Sequence, residues 1–132
     1  MCGRYRLTAK ERYIRDHIGL DEDPPWTPRW NIAPTQQIAT IRQHRSEPKR
    51  IFGLMRCGLI PHWAKQPSIG LKTINAMSET AEEKPAFRDA MRWRRCLIPA
   101  DGFYEWKRFG PKEKQPYNFG MGDDSAFAFA GL

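Results

Sequence analysis

Cysteine is scarce in this chain. Three are spread over 132 residues, at Cys2, Cys57 and Cys96, with no C-x-x-C pair among them. An odd number at that spacing excludes a disulfide framework or a structural zinc site as the organising principle. Long apolar runs are missing too. No stretch reaches the length of a membrane span, and Arg4, Tyr5 and Arg6 stand where a signal peptide needs an apolar segment. The chain reads as cytosolic. There is no internal repeat, low-complexity tract or linker, so residues 1–132 read as a single domain. Negative charge is in short supply: 15 Asp and Glu face 22 Lys and Arg, a net charge of +7. That excess suits a polyanionic partner such as nucleic acid, with a merely solubilising surface as the plain alternative.

Aromatic residues and arginine are plentiful. Five Trp, seven Phe and four Tyr supply large groups for a core or for stacking. Arginine gathers at Arg4 and Arg6, from Arg42 to Arg56, and at Arg88, Arg92, Arg94 and Arg95. Its planar guanidinium favours phosphates and ring faces. The pattern Thr8-Ala-Lys-Glu11 is a capping box, and Tyr13, Ile14, His17 and Ile18 follow at helical spacing before Gly19. These predict a helix over 8–19 with His17 packed on its apolar stripe. Residues 21–34 contain four prolines and read as an ordered loop. Strands are predicted over 36–43 and 50–57, joined by a turn around Arg45 to Lys49. A loop carries Trp63, and Pro85 opens a second helix with Phe87, Ala90 and Met91 inward. The runs CLIPA, GFYEWKRF and QPYNFG read as further strands. Ser125 to Leu132 alternates small and large apolar residues, as a core strand does, and stops without a polar tail. Domains rarely end that way, so the chain reads as the front part of a longer protein. Cys57 and Cys96, in apolar surroundings, read as inert thiols.

Cys2 is different. Loss of Met1 would leave it with a free α-amine and a thiol on adjacent carbons, a 1,2-aminothiol that no internal cysteine can offer. Its position alone is also compatible with accident. Four further stretches remove that reading. After Cys2-Gly-Arg4-Tyr-Arg come Trp30-Asn31-Ile-Ala-Pro34-Thr, then Gly58-Leu-Ile-Pro-His-Trp63-Ala-Lys and Ile74-Asn75-Ala-Met-Ser-Glu79-Thr, and last Arg95-Cys-Leu-Ile-Pro99-Ala-Asp-Gly102-Phe-Tyr-Glu105-Trp-Lys. The ordered set resembles the SOS response-associated peptidase family, the abasic-site-processing proteins, over essentially the whole chain.

The resemblance implies an α+β domain whose mixed or antiparallel strands form a pseudo-barrel with a few flanking helices, here incomplete. It implies a groove for single-stranded DNA and covalent capture of abasic sites by Cys2, with no cofactor, no metal and a monomeric protein, nucleoid-associated when bound to DNA. Asn75 matches the family's site asparagine and would hold the terminal amine or a sugar oxygen. Glu105 matches the family's site glutamate and would move protons. Arg4 would clamp a flanking phosphate, Trp63 would stack on a base, and Asn31 to Pro34 would shape the groove wall. An older assignment within the family is a cysteine peptidase, which self-removal of Met1 would explain. Two other functions compete with capture: an N-terminal-cysteine hydrolase, and a nucleic-acid binder without chemistry.

The chain departs from the family pattern at three points. Met77 stands where the family usually has arginine, and Cys57 where it usually has tryptophan. The family's catalytic histidine belongs to a His-x-Arg-Met-Pro-like motif that His17, His44 and His62 do not match. A processed chain is therefore expected to react slowly.

Overall fold

The computed structural model describes residues 3–132, so Cys2 lies outside the described residues. The protein is mostly β. Strands β1 (Arg4–Leu7), β2 (Arg29–Ile32), β3 (Gln37–Gln43), β4 (Arg50–Arg56), β5 (Cys96–Ala100), β6 (Gly102–Arg108), β7 (Lys114–Phe119) and β8 (Phe127–Gly131) are joined by helices α1 (Glu11–Ile18) and α2 (Arg88–Trp93) and a 3-10 turn over Pro67–Leu71. They form two four-stranded sheets, ordered β2-β1-β6-β7 and β4-β3-β5-β8, in which every neighbouring pair is antiparallel. The α content is smaller than the expected α+β class suggests, because both helices are short. Among the described residues no helix is long and apolar enough to cross a membrane.

The core is built mainly from β1, β2, β3 and α1. Tyr5 and Leu7 of β1, Ile32 of β2 and Ile38 and Ile41 of β3 are buried together with Ile14 and Ile18 of α1. Phe103 of β6 meets Phe127 and Phe129 of β8 edge-on, at 6.4 and 6.0 Å between ring centroids, which ties one sheet to the other. Pro116 is tolerated in β7 because that strand is an edge.

Three local expectations are corrected. The capping box does not form: α1 begins at Glu11, after Lys10, with no side-chain cap. Thr8 instead gives its backbone N–H and its hydroxyl to the Asp101 carboxylate. His17 is exposed, stacked on Tyr13 at 5.1 Å, because only Ile14 and Ile18 reach the core. The loop over 21–34 contains β2, whose pairing with β1 outweighs the prolines around it. Gly19, with φ of 72°, ends α1 as predicted.

Gly58 explains one motif position. Its φ is 116°, and a Cβ there would stand 2.4 Å from the carbonyl oxygen of Gly70. Backbone cannot yield as a side-chain tip can. Gly58→Ala is therefore expected to cost about 2–4 kcal/mol, combining backbone strain with overpacking. Urea unfolding with an unchanged m-value is the measurement, and a loss under about 0.5 kcal/mol would contradict the close approach.

Candidate functional site

The motif stretches are far apart in sequence and are stitched together by backbone contacts. β1 starts at Arg4, opposite Tyr104 of β6, and Tyr5 stands opposite Phe103. On its other side β1 pairs with β2, where the register shifts between Tyr5 and Leu7. That irregularity lets two consecutive β2 residues reach the β1 arginines. Arg4 donates to Asn31 Oδ1 at 3.0 Å, and the Arg6 guanidinium lies over the Trp30 ring at 5.9 Å. The Tyr104 hydroxyl donates to the Trp30 carbonyl at 2.8 Å and fixes the corner.

From β2 the chain passes into Ala33 to Gln36, which is held against the third motif. Thr35 N–H donates to the Cys57 carbonyl at 3.0 Å, and Cys57 N–H to the Gln36 carbonyl at 2.9 Å. Thr35 has φ of 70°, a strained conformation for a β-branched residue, worth on the order of 1–3 kcal/mol. Leu59 N–H then donates to the Thr73 carbonyl at 3.3 Å, and the Thr73 hydroxyl reaches the carbonyls of Leu59 and Ile69. Thr73 is buried, and Asn75, two residues on, is half-buried.

Trp63 stands outside the core, 49% exposed, with its indole N–H 3.4 Å from the Pro85 carbonyl. Its neighbour His62 approaches Asp89 of α2 at 3.5 Å. Met77 is exposed, as a residue without a packing role would be. Cys57 and Cys96 are both half-buried, and burial pushes the Cys96 thiol up, against the opposing pull of Arg42. A thiol held that way is a poor nucleophile, which agrees with the inert reading.

Glu105 is half-buried and lines a depression of about 380 Å³ with Trp106, Lys107, Tyr117 and Phe119. Strand alternation sends Arg4 and Tyr104 to one face of the sheet and Glu105 to the other. The described residues thus bring Arg4, Asn31, Trp30 and Tyr104 together, whereas Glu105, next along β6, lies on the opposite face of the sheet. No cluster of three His, Cys, Asp or Glu able to hold a metal occurs among the described residues.

Asp101 was invisible as an anchor, since Asp-Gly between two strands reads as a turn. It is 4% exposed. It accepts from Thr8 N–H and hydroxyl and from Ala9 N–H at 2.6 Å, and its other oxygen lies 3.5 Å from Arg6 Nε. Arg6 and Asp101 also share two bonds through backbone, from Arg6 to the Asp101 carbonyl and from Asp101 N–H to the Arg6 carbonyl, each 3.1 Å. This carboxylate locks β1 to the β5–β6 corner.

Comparison with known proteins agrees with the motif set. The abasic site processing protein YoqW of Bacillus subtilis is 45% identical over all of this chain and 59% of its own length. The abasic site processing protein HMCES of Xenopus tropicalis is 32% identical over 89% of this chain and 42% of its own. The chain therefore spans about three-fifths of the bacterial relative. Among solved structures, a Bordetella bronchiseptica protein superposes with a TM-score of 0.77 at 27% identity, covering 98% of this chain and 62% of that one. A Bacteroides thetaiotaomicron protein shares the fold, with a TM-score of 0.78 at 23% identity and 58% of that chain covered. The profile of the family described as SOS response associated peptidase (SRAP) matches residues 1–132, and to that family this chain belongs.

Proposed function

We propose that this chain captures abasic sites in single-stranded DNA through Cys2, once Met1 is gone, and that the product is a thiazolidine. The relatives named above are abasic site processing proteins. In this reading the two sheets are walls of a pseudo-barrel and the motif stretches line its DNA groove. An abasic site exists partly as a ring-opened aldehyde. The neutral α-amine of Cys2 adds to the aldehyde carbon and water leaves, giving an imine. The thiol then adds across the C=N bond: sulfur bonds to carbon, the proton passes to nitrogen, and a five-membered ring closes. No oxidant or reductant is consumed. An unassisted α-amine is roughly one-tenth neutral at pH 7, so positive charge nearby raises the reactive fraction.

The observation that carries the reading is the β1–β6 register, which sets Arg4, two positions after Cys2 in sequence, opposite Tyr104, the neighbour of Glu105 along β6. Glu105 would donate a proton to the sugar ring oxygen as it opens and shuttle protons during loss of water. Asn75 would hold the amine or a sugar oxygen, Arg4 a flanking phosphate, and Trp63 a base.

The test is incubation of the Met1-free chain with a single-stranded abasic oligonucleotide, followed by denaturing electrophoresis and mass spectrometry. A covalent band at the mass of protein plus DNA minus one water is expected. Glu105→Gln should slow its formation about 10²- to 10⁴-fold with non-covalent binding retained. Peptide cleavage without a covalent band would favour a hydrolase, and binding alone would leave a simple DNA-binding protein.

A further inference from the structure

A second strongly charged surface lies apart from the motif corner. β5 pairs with β3 through Leu97 and Ile41, antiparallel. Followed outward, that register carries Arg42 toward Cys96 and Gln43 toward Arg95. That placement agrees with the pull of the Arg42 guanidinium on the Cys96 thiol, which opposes the larger effect of burial. Two arginine runs separated by some fifty positions therefore meet at one end of the β4-β3-β5-β8 sheet. The β3–β4 turn brings Arg45, and the α2–β5 junction brings Arg92, Arg94 and Arg95. The Asp101 corner is at the other end of β5.

The charges at this end are largely uncompensated. Glu47 is paired with Lys49 at 2.7 Å and approached by His44 at 3.5 Å. Arg50 is engaged with the Ile18 carbonyl. Asp89 faces His62 and Arg88. Among the described residues Arg45, Arg92, Arg94 and Arg95 are all exposed and none has an ion-pair partner. Trp93, between them, is 81% exposed. A largely exposed indole among guanidinium groups without ion-pair partners is the combination of a single-strand docking surface: cations for phosphates and a ring face for a base.

We propose that Arg45, Arg92, Arg94 and Arg95, with Trp93, form a second, non-catalytic dock for single-stranded nucleic acid. It would engage intact strand rather than the lesion. The proposal rests on the reading that the chain binds single-stranded DNA, but its test does not require capture.

The probe is an unmodified fluorescent oligothymidine of about twenty nucleotides, titrated at several salt concentrations. Each phosphate contact on single strands contributes about 0.7 to the slope of log K against log salt. The triple variant Arg92→Ala, Arg94→Ala, Arg95→Ala should lower that slope by about 2 and weaken binding at low salt at least about tenfold. Arg→Lys at the same three positions should keep the slope. Trp93→Ala should weaken binding about tenfold with the slope unchanged. All these residues are exposed, and matched thermal midpoints check that the variants remain folded. The dock is refuted if the triple variant keeps parental slope and affinity, or if Trp93→Ala alters sedimentation but not DNA binding, which would make Trp93 a self-association contact. Capture of an abasic oligonucleotide at saturating DNA should be unaffected by the triple variant. Absence of capture with this patch dependence intact would overturn only the capture chemistry. Capture by a chain indifferent to the patch variants would overturn only the dock.

Discussion

Cys2→Ala is expected to lower formation of a reductant-stable DNA–protein crosslink at least about a hundredfold, because closure of the thiazolidine needs a thiol on the carbon next to the amine. The alanine variant keeps the α-amine and should still form an imine. A hydride reductant would trap that imine as a covalent band, and without reductant the bond should hydrolyse during denaturation. Cys2→Ser should behave in the same way, since a neutral hydroxyl is a far weaker partner for addition to the imine. Retention of Met1 makes a different prediction. It converts the Cys2 nitrogen to an amide and places the thiol one residue inside the chain, so the Cys2 aminothiol is gone. The free amine is then that of Met1, and any band it gives should need the reductant. Mass spectrometry of the N-terminus must therefore accompany every assay. Undiminished, reductant-independent crosslinking by Cys2→Ala would show that another nucleophile carries the reaction. Cys96 is a poor candidate for it, with a half-buried thiol pushed up by burial.

The largest expected loss of stability belongs to Asp101→Ala. This carboxylate is 4% exposed and accepts from the N–H groups of Thr8 and Ala9 and from the Thr8 hydroxyl. Its removal leaves those donors unpaired and strips Arg6 of its carboxylate partner at 3.5 Å. Breaking a buried charged network by deleting one member costs about 3–5 kcal/mol. Asp101→Asn keeps an acceptor oxygen but loses the charge and presents an NH₂ to existing donors, so it should cost less, about 1–3 kcal/mol. Urea unfolding at neutral pH measures both. The loss should also reach the candidate site, because Asp101 sets the position of β1, which begins at Arg4. A loss below about 1 kcal/mol for the alanine variant would mean that water replaces the carboxylate and that the lock is superficial.

Local pattern in the sequence determined much of this protein. The strand-forming runs of β3 to β6, and the alternation in β8, are a matter of adjacent residues, and the strands fall within a residue or two of where those runs put them. Gly19 ends its helix because only local backbone geometry is involved. The ordered motif set sufficed to identify the family, which the match over residues 1–132 bears out. It also named Cys2, Asn75 and Glu105, whose grouping stands as the proposal that the capture assay tests. What only the tertiary structure decided has a common physical reason: partners distant in sequence competed with local ones. Asp101 took Thr8 from the helix start over a separation of 93 residues. Pairing with β1 made a strand of Arg29–Ile32 inside a proline-rich loop. The stripe of α1 proved narrower than its periodicity, because the core accommodated Ile14 and Ile18 and left His17 in solvent. At position 58 the φ of 116° already favours glycine, and the close approach of Gly70 adds a demand that no local rule anticipates. The two arginine runs became one surface because β3 lies against β5, and strand order is a property of the fold rather than of either segment.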